Sequence, residues 1–248
     1  MRVRRATSLL LVLVGPAWLA PGLAGPAAAS PPALIPLQAA QGQALLARSR
    51  AQADFLPLVG WFETQANLAY CGVASAVMAL NSLALPAPPV PSHGTYRFWT
   101  QTNLFTTAAA QGTGGPEQVG RRGMTLAQLA GLLAQPGLTV QRWHGDQLSL
   151  PQLRGLLRQG LADPSDRLLV NYHRSSLGQA GGGHIAPLAA YDEATDQVLI
   201  LDVARYRYPS VWVPTQALWQ AIRTRDADSG LSRGLVRLRP AATPRSGL

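Results

Sequence analysis

The sequence predicts an α+β domain: a helical front half carrying its one cysteine, Cys71, packed on a back half of antiparallel strands. Two observations carry this. Apolar residues recur with a period near 3.6 in the first half and between residues 125 and 159, the signature of helices. Beyond residue 166 the apolar runs are short and separated by turn-rich segments, the signature of strands. The chain has 248 residues, 47% apolar and 13% charged, which suits one domain with a buried core and excludes a disordered chain.

Element by element, Arg2, Arg4 and Arg5 precede an apolar run from Leu9 to about residue 20, and small residues follow up to Ala27, Ala28 and Ala29. A basic start, a short apolar stretch and an Ala-x-Ala ending describe a secretory signal, so residues 1–29 are expected to be removed and residues 30–248 to form a single exported, periplasmic domain. Gly15, Pro16, Pro21 and Gly22 interrupt the run and argue against a membrane anchor. Residues 31–36 are a Pro-rich, extended leader, and residues 38–54 read as a helix. Residues 71–83 place Val73, Ala76, Val77, Leu80 and Leu83 on one face of a helix, which Pro86, Pro88, Pro89 and Pro91 end. Residues 92–123 read as loop, with Phe98, Trp99 and Phe105 as packing anchors and residues 112–115 as a flexible segment lacking the Lys of a phosphate loop. Helices follow at 125–135, with Thr125 as N-cap, and at 149–159, where Pro151 suits the first turn. Residues 167–172, 184–191 and 197–203 are strands, and the second gap is too short for a crossover helix, so they are antiparallel neighbours. A helix at 215–224 and a strand at 234–238 complete the order, with Trp212 and Trp219 as core residues.

Composition excludes much chemistry. All 21 basic residues are Arg, so lysine Schiff bases and lysine general bases are ruled out. One cysteine rules out an internal disulfide or a multi-thiolate metal site. The net charge of +9 drops to +6 when Arg2, Arg4 and Arg5 leave with the signal, and the remaining Arg form no run, so nucleic acid is not an expected partner.

Cys71 opens a predicted helix, where the positive dipole end favours a thiolate, and Gly72 is expected to leave room for a substrate beside the sulfur. Six residues earlier, Gln65 can donate an amide N–H to an oxyanion. His184 opens a strand after three glycines, and Asp202 lies near the end of the next strand, so a hairpin would bring carboxylate and imidazole together. Each has a plainer role available: a buried inert thiol, a core histidine, a turn-capping carboxylate. The order Gln, Cys, His, Asp is nonetheless that of papain-like thiol enzymes. His93 and His144 read as solvent or turn histidines, and His173 as a neighbour of the site or a competing base.

The segment from Gln65 through Cys71 to Ser75 resembles the nucleophile segment of phytochelatin synthases. The run around His184 resembles their histidine segment, and the run from Asp202 to Pro214 is similar to their aspartate segment. The resemblance covers roughly residues 50 to 240. It implies a papain-like fold in which Cys71 attacks the Cys–Gly bond of glutathione, His184 is the general acid/base, Asp202 orients it and Gln65 supports the oxyanion. It also implies substrate contacts from Arg205, Tyr208, Asn171, Asp226 and Arg233. No cofactor is required and no protein metal site is implied: a metal ion such as cadmium enters as a metal–glutathione complex. With no cysteine-rich extension the chain resembles the short bacterial members, viewed mainly as glutathione hydrolases with weak transfer to a second glutathione. The expected partners are glutathione and at most a second copy of the chain, as a homodimer, without stable membrane insertion.

Two other readings compete: a papain-like peptidase that trims leader or other small peptides, and a non-enzymatic exported binder of thiols or soft metals. One thiolate makes a poor metal cage, and the Asp202–Pro214 run argues against the peptidase.

Overall fold

The computed structural model describes residues 32–241; the expected signal and its cleavage point lie outside them. Seven antiparallel strands form one sheet: β1 (Ile35–Pro36), β2 (Leu138–His144), β3 (Arg167–His173), β4 (Gly183–Asp192), β5 (Gln197–Ile200), β6 (Val211–Pro214) and β7 (Gly234–Pro240). Their order is β1-β6-β5-β4-β3-β7-β2, so the expected hairpins β3–β4 and β4–β5 form the middle of the sheet. The helices are α1 (Ala40–Arg48), α2 (Phe55–Gly60), α3 (Cys71–Ser82), α4 (Gly115–Arg122), α5 (Leu126–Leu133), α6 (Leu150–Gly160) and α7 (Thr215–Ile222). The architecture is α+β. Among the described residues no helix is long and apolar enough to cross a membrane.

Period-two alternation splits the strand side chains between two cores. Leu169, Ile185, Leu199 and Val236 pack with Val73, Val77 and Leu80 of α3 and Leu129 of α5. Leu168, Val170, Leu188 and Ile200 pack on the other face with Leu153 and Leu157 of α6 and Leu218 of α7. The sheet is therefore covered on both faces, not only by the helices of the front half. Capping boxes start α5 and α6, at the expected positions: Thr125 and Ser149 each pair with a Gln three residues on, and Pro151 sits in the first turn of α6.

Several elements differ from expectation. The helix at 38–54 is broken, because Ala51 leaves it to bridge Tyr191, whose N–H donates to the Ala51 carbonyl at 2.7 Å. The chain then restarts as α2. Helix α3 is buried from Cys71 through Asn81, not on one face, since small residues let it run between the sheet and other helices. Residues 92–123 contain short 3-10 turns and α4, with Pro116 in its first turn, so residues 112–115 join the 3-10 helix Ala108–Thr113 to α4. Trp99 is buried, and Phe98 and Phe105 are half-buried, as anchors should be. Trp212 is fully buried; Trp219 is half-buried, donating to the Leu148 carbonyl at 2.7 Å. β2 and β6 were not foreseen: β2 has no buried face of its own and is held by seven pairings to β7.

Candidate active site

Cys71 is the first residue of α3, 9% exposed, with its first-turn N–H groups unused by the helix itself. The Ser75 hydroxyl lies 2.7 Å from the Cys71 carbonyl and 3.2 Å from the Ile185 carbonyl, fixing the start of α3 against β4. The loop before it is folded on itself. Gln65 donates its side-chain amide to the Asn67 carbonyl at 2.7 Å, and its backbone N–H to the Val203 carbonyl at 3.0 Å. That second bond places the loop beside the residue that follows Asp202.

His184 is the second residue of β4 and faces Tyr172 across the β3–β4 pair, the rings edge to face at 5.7 Å. Its Nε2 is 2.9 Å from Oδ1 of Asp202, a close ion pair in which the ring N–H is turned off the line of a straight hydrogen bond. With Nε2 directed at Asp202, Nδ1 is the nitrogen left for the Cys71 sulfur. Asp202 lies two residues past the end of β5, not within it. Its Oδ1 accepts from the Ala204 N–H and from Arg174 Nη2, both at 2.9 Å, while Arg174 Nη1 is 2.8 Å from Oδ2. Arg174 is itself held: it donates to Gln179 Oε1 at 2.7 Å and lies over the Tyr208 ring at 4.8 Å.

The protonation states follow from these contacts. Burial pushes Asp202 up, but the hydrogen bonding and charge of His184 and then Arg174 hold its carboxyl well below the ordinary range. Burial would lower His184, yet its close polar contacts with Asp202 and Cys71 and their charges raise it. Burial would raise Cys71, and the His184 hydrogen bond and charge, with the backbone groups of Ile185 and Gly72, lower it. A thiolate beside an imidazolium is the state these shifts favour, and that pair can attack a carbonyl and protonate a leaving amine.

Two cavities meet at the sulfur. The larger, about 470 Å³, is lined by Cys71, Met124, Asn171, His184, Asp226 and Arg233, among others. In it Arg233 donates to Asn171 Oδ1 at 2.9 Å and approaches Asp226 to 3.4 Å, while Asn171 Nδ2 and Arg233 Nε are buried with no protein acceptor among the described residues. The smaller, about 190 Å³, shares Cys71 and His184 and is lined by Gln65, Arg174 and Arg207.

A family model described as phytochelatin synthase matches residues 27–235. The chain belongs to the phytochelatin synthase family. It is 34% identical over 210 residues to glutathione gamma-glutamylcysteinyltransferase 1 of Triticum aestivum, an alignment covering 84% of the chain and 40% of that protein. It is 32% identical over 210 residues to glutathione gamma-glutamylcysteinyltransferase 3 of Lotus japonicus, with 84% and 42% covered. Over 191 residues it is 28% identical to glutathione gamma-glutamylcysteinyltransferase of Schizosaccharomyces pombe, with 77% and 44% covered. The chain thus spans about two fifths of the length of the curated relatives it matches.

Of the residues singled out in the sequence, the structure brings Cys71, His184, Asp202 and Gln65 together, and Asn171, Asp226 and Arg233 share the larger cavity. Arg205 and Tyr208 line neither. Arg205 is exposed and stacks on Phe62 at 4.7 Å, and the Tyr208 hydroxyl is tied to both backbone groups of Ala180. Gly72 does not make room for a substrate: a Cβ there would lie 2.4 Å from Met124 and 3.0 Å from Ile185, so the space is taken by packing. His173 lies outside both cavities and contacts Ser175 Oγ at 2.8 Å. His144 is not in a loop; it ends β2 and contacts the Ser232 carbonyl. Arg174 was missed in sequence because nothing local marks it: its carboxylate partner lies 28 residues on.

Proposed function

We propose that this chain is a thiol enzyme that cleaves the cysteinyl–glycine bond of glutathione through a γ-glutamylcysteinyl thioester on Cys71. The observation that carries the reading is the buried Cys71–His184–Asp202 chain at a helix N-terminus, opening on a cavity with unpaired donors, in a family whose relatives are named glutathione gamma-glutamylcysteinyltransferases. The same arrangement, nucleophile on a helix and histidine on an antiparallel strand, supports reading the fold as papain-like.

The Cys71 thiolate attacks the carbonyl carbon; a C–S bond forms as the C–N bond to glycine breaks, and His184 gives its proton to the departing amine. Asp202, steadied by Arg174, keeps the ring oriented and its charge balanced. The oxyanion is met by the Cys71 N–H and by the second amide N–H of Gln65, the first being held by Asn67. One such donor is worth roughly 3–4 kcal/mol in the transition state. Water, or the amine of a second glutathione, then attacks the thioester while His184 takes up the proton. Water is always present and an acceptor must be bound and oriented, so hydrolysis dominates at low thiol concentration.

The buried donors of Asn171 and Arg233 suit a substrate carboxylate or carbonyl, and a volume of about 470 Å³ is ordinary for a small-molecule site. Metal enters as a metal–glutathione complex, on the substrate side. Tyr208 supports Arg174 rather than substrate. The reading includes export with cleavage after Ala29, on the pattern of Arg2 to Ala29.

Incubation with glutathione is expected to yield glycine and γ-glutamylcysteine by mass spectrometry, with longer oligomers in the presence of cadmium if transfer competes. Cys71→Ser is expected to abolish release. Normal glycine release from Cys71→Ala would overturn the reading.

A further inference from the structure

Residues 224–233 connect α7 to β7 and carry Asp226 and Arg233, two of the side chains in the larger cavity. The segment closes on itself around Asp226: the Gly230 N–H donates to the Asp226 carbonyl at 2.8 Å, the Ser229 hydroxyl to Asp226 Oδ2 at 3.0 Å, and the Leu231 N–H to Ser229 Oγ at 3.3 Å. One bridge joins Arg225 to Ser232, the Asp226 N–H donates to the Leu231 carbonyl at 2.8 Å, and the Arg233 N–H donates to the Thr224 carbonyl at 3.0 Å.

What ties this folded segment to the rest of the molecule lies at the end of β2. His144 Nδ1 is 2.6 Å from the Ser232 carbonyl oxygen; a carbonyl only accepts, so Nδ1 carries the proton and donates it. Next to it, the Gly145 N–H donates to the Arg233 carbonyl at 2.7 Å. The Ser232 hydroxyl donates to Asp146 Oδ1 at 2.7 Å, and the Asp146 N–H returns a bond to Ser232 Oγ at 3.2 Å. The approach is close: a Cβ on Gly145 would lie 2.3 Å from the Ile222 carbonyl oxygen. Ser232 is thus held through both its carbonyl and its hydroxyl, one residue before Arg233.

We propose that His144, Gly145 and Asp146 form a latch that positions Arg233 and Asp226 for substrate, with His144 as its principal positioning residue. The latch rests on the reading that the larger cavity takes glutathione. Arg233 must reach Asn171 on β3 and Asp226 on its own loop from a backbone anchored at Ser232. A displacement of about an ångström there is enough to spoil a bidentate geometry. His144 lines neither cavity and touches none of Cys71, His184 and Asp202, so its loss weakens binding and leaves the chemical step in place.

The test compares wild type with His144→Ala and His144→Asn. His144→Ala is expected to raise KM for glutathione about tenfold with kcat within about twofold, the pattern of lost uniform binding. Hydrogen exchange is expected to speed up at Asp226, Gly230 and Arg233 and not in β3 or β4. The rate of Cys71 alkylation by iodoacetamide is expected to stay at the wild-type value, which shows that the variant is folded and the thiolate intact. His144→Asn keeps an N–H for the Ser232 carbonyl and is expected to return KM to within about threefold of wild type. Unchanged exchange in residues 224–233, an unchanged KM, or a changed alkylation rate in His144→Ala would each overturn the latch. A wild type that releases no glycine counts against the glutathione reading, and the exchange rates then decide the latch.

Discussion

Two buried arginine–aspartate pairs flank strand β3, and they hold their carboxylates in opposite states. At its start Arg167 lies 3.0 Å from Asp54, with side chains 2% and 0% exposed. Just past its end Arg174 lies 2.8 Å from Asp202, with side chains 4% and 1% exposed. Burial pushes the Asp54 carboxyl up to about 8 against the attraction of Arg167. Asp202 is held well below the usual range. The donors explain the contrast. Arg167 spreads its N–H groups over Ser82 and the Pro164 carbonyl as well, and the nearby carboxylates of Asp166 and Asp163 push Asp54 further up. On Asp202, Arg174, the Ala204 N–H and His184 all converge. An arginine alone does not keep a buried aspartate ionised; the other donors on its oxygens and the like charges beside it decide. The first pair staples α2 to the sheet, while the second equips a histidine to carry charge.

Substitutions at the two pairs should therefore separate activity from stability. The largest effect is expected from Asp202→Asn, which keeps shape but removes the charge that supports imidazolium. Glycine release per folded molecule should fall about 10³–10⁴-fold, and the urea midpoint should fall too, because Arg174 is left buried without its charge partner. A fall of less than tenfold would remove Asp202 from the site.

Arg167→Met comes next. It strips the hydrogen bonds that Arg167 gives to Asp54, Ser82 and the Pro164 carbonyl, at about 1–3 kcal/mol for each buried group left unsatisfied, so urea unfolding should shift strongly while glycine release per folded molecule stays at the wild-type value. Loss of turnover in the folded variant would erase the distinction between the pairs.

Asp54→Asn is expected to have the smallest effect on glycine release, and to show instead in the pH profile of stability. The folded chain keeps the Asp54 proton up to about 8, whereas an unfolded chain releases it near 3.8. Between those values the folded state binds more protons, so stability falls as pH rises and reaches its floor above about 8. Asparagine removes that contribution, and urea midpoints measured across the interval should show the variant gaining on wild type as pH increases. Parallel profiles would mean that Asp54 is already ionised when buried.

Much of this was readable from local signals. The helix at Cys71, the helix starts marked by Thr125 and Pro151, and the hairpins that bring His184 towards Asp202 all follow from near-neighbour periodicity and turn chemistry. The break after α1 was not readable, because the competing partner of Ala51 is Tyr191 on β4, 140 positions on in the chain. β2 escaped notice for a similar reason, since its pairing to β7 rather than its own pattern makes it a strand.

The order of residue types was enough to name a nucleophile, a base and an orienting carboxylate, since each is marked by its own element: a helix start, a glycine run before a strand, a strand end. Which groups stand behind them was a matter of three-dimensional packing. Arg174 reaching Asp202, Arg205 turning away to Phe62, and His144 gripping Ser232 all join residues that no local pattern relates. Hydrogen bonds and burial act through space at about 3 Å, whereas periodicity and capping act along the chain.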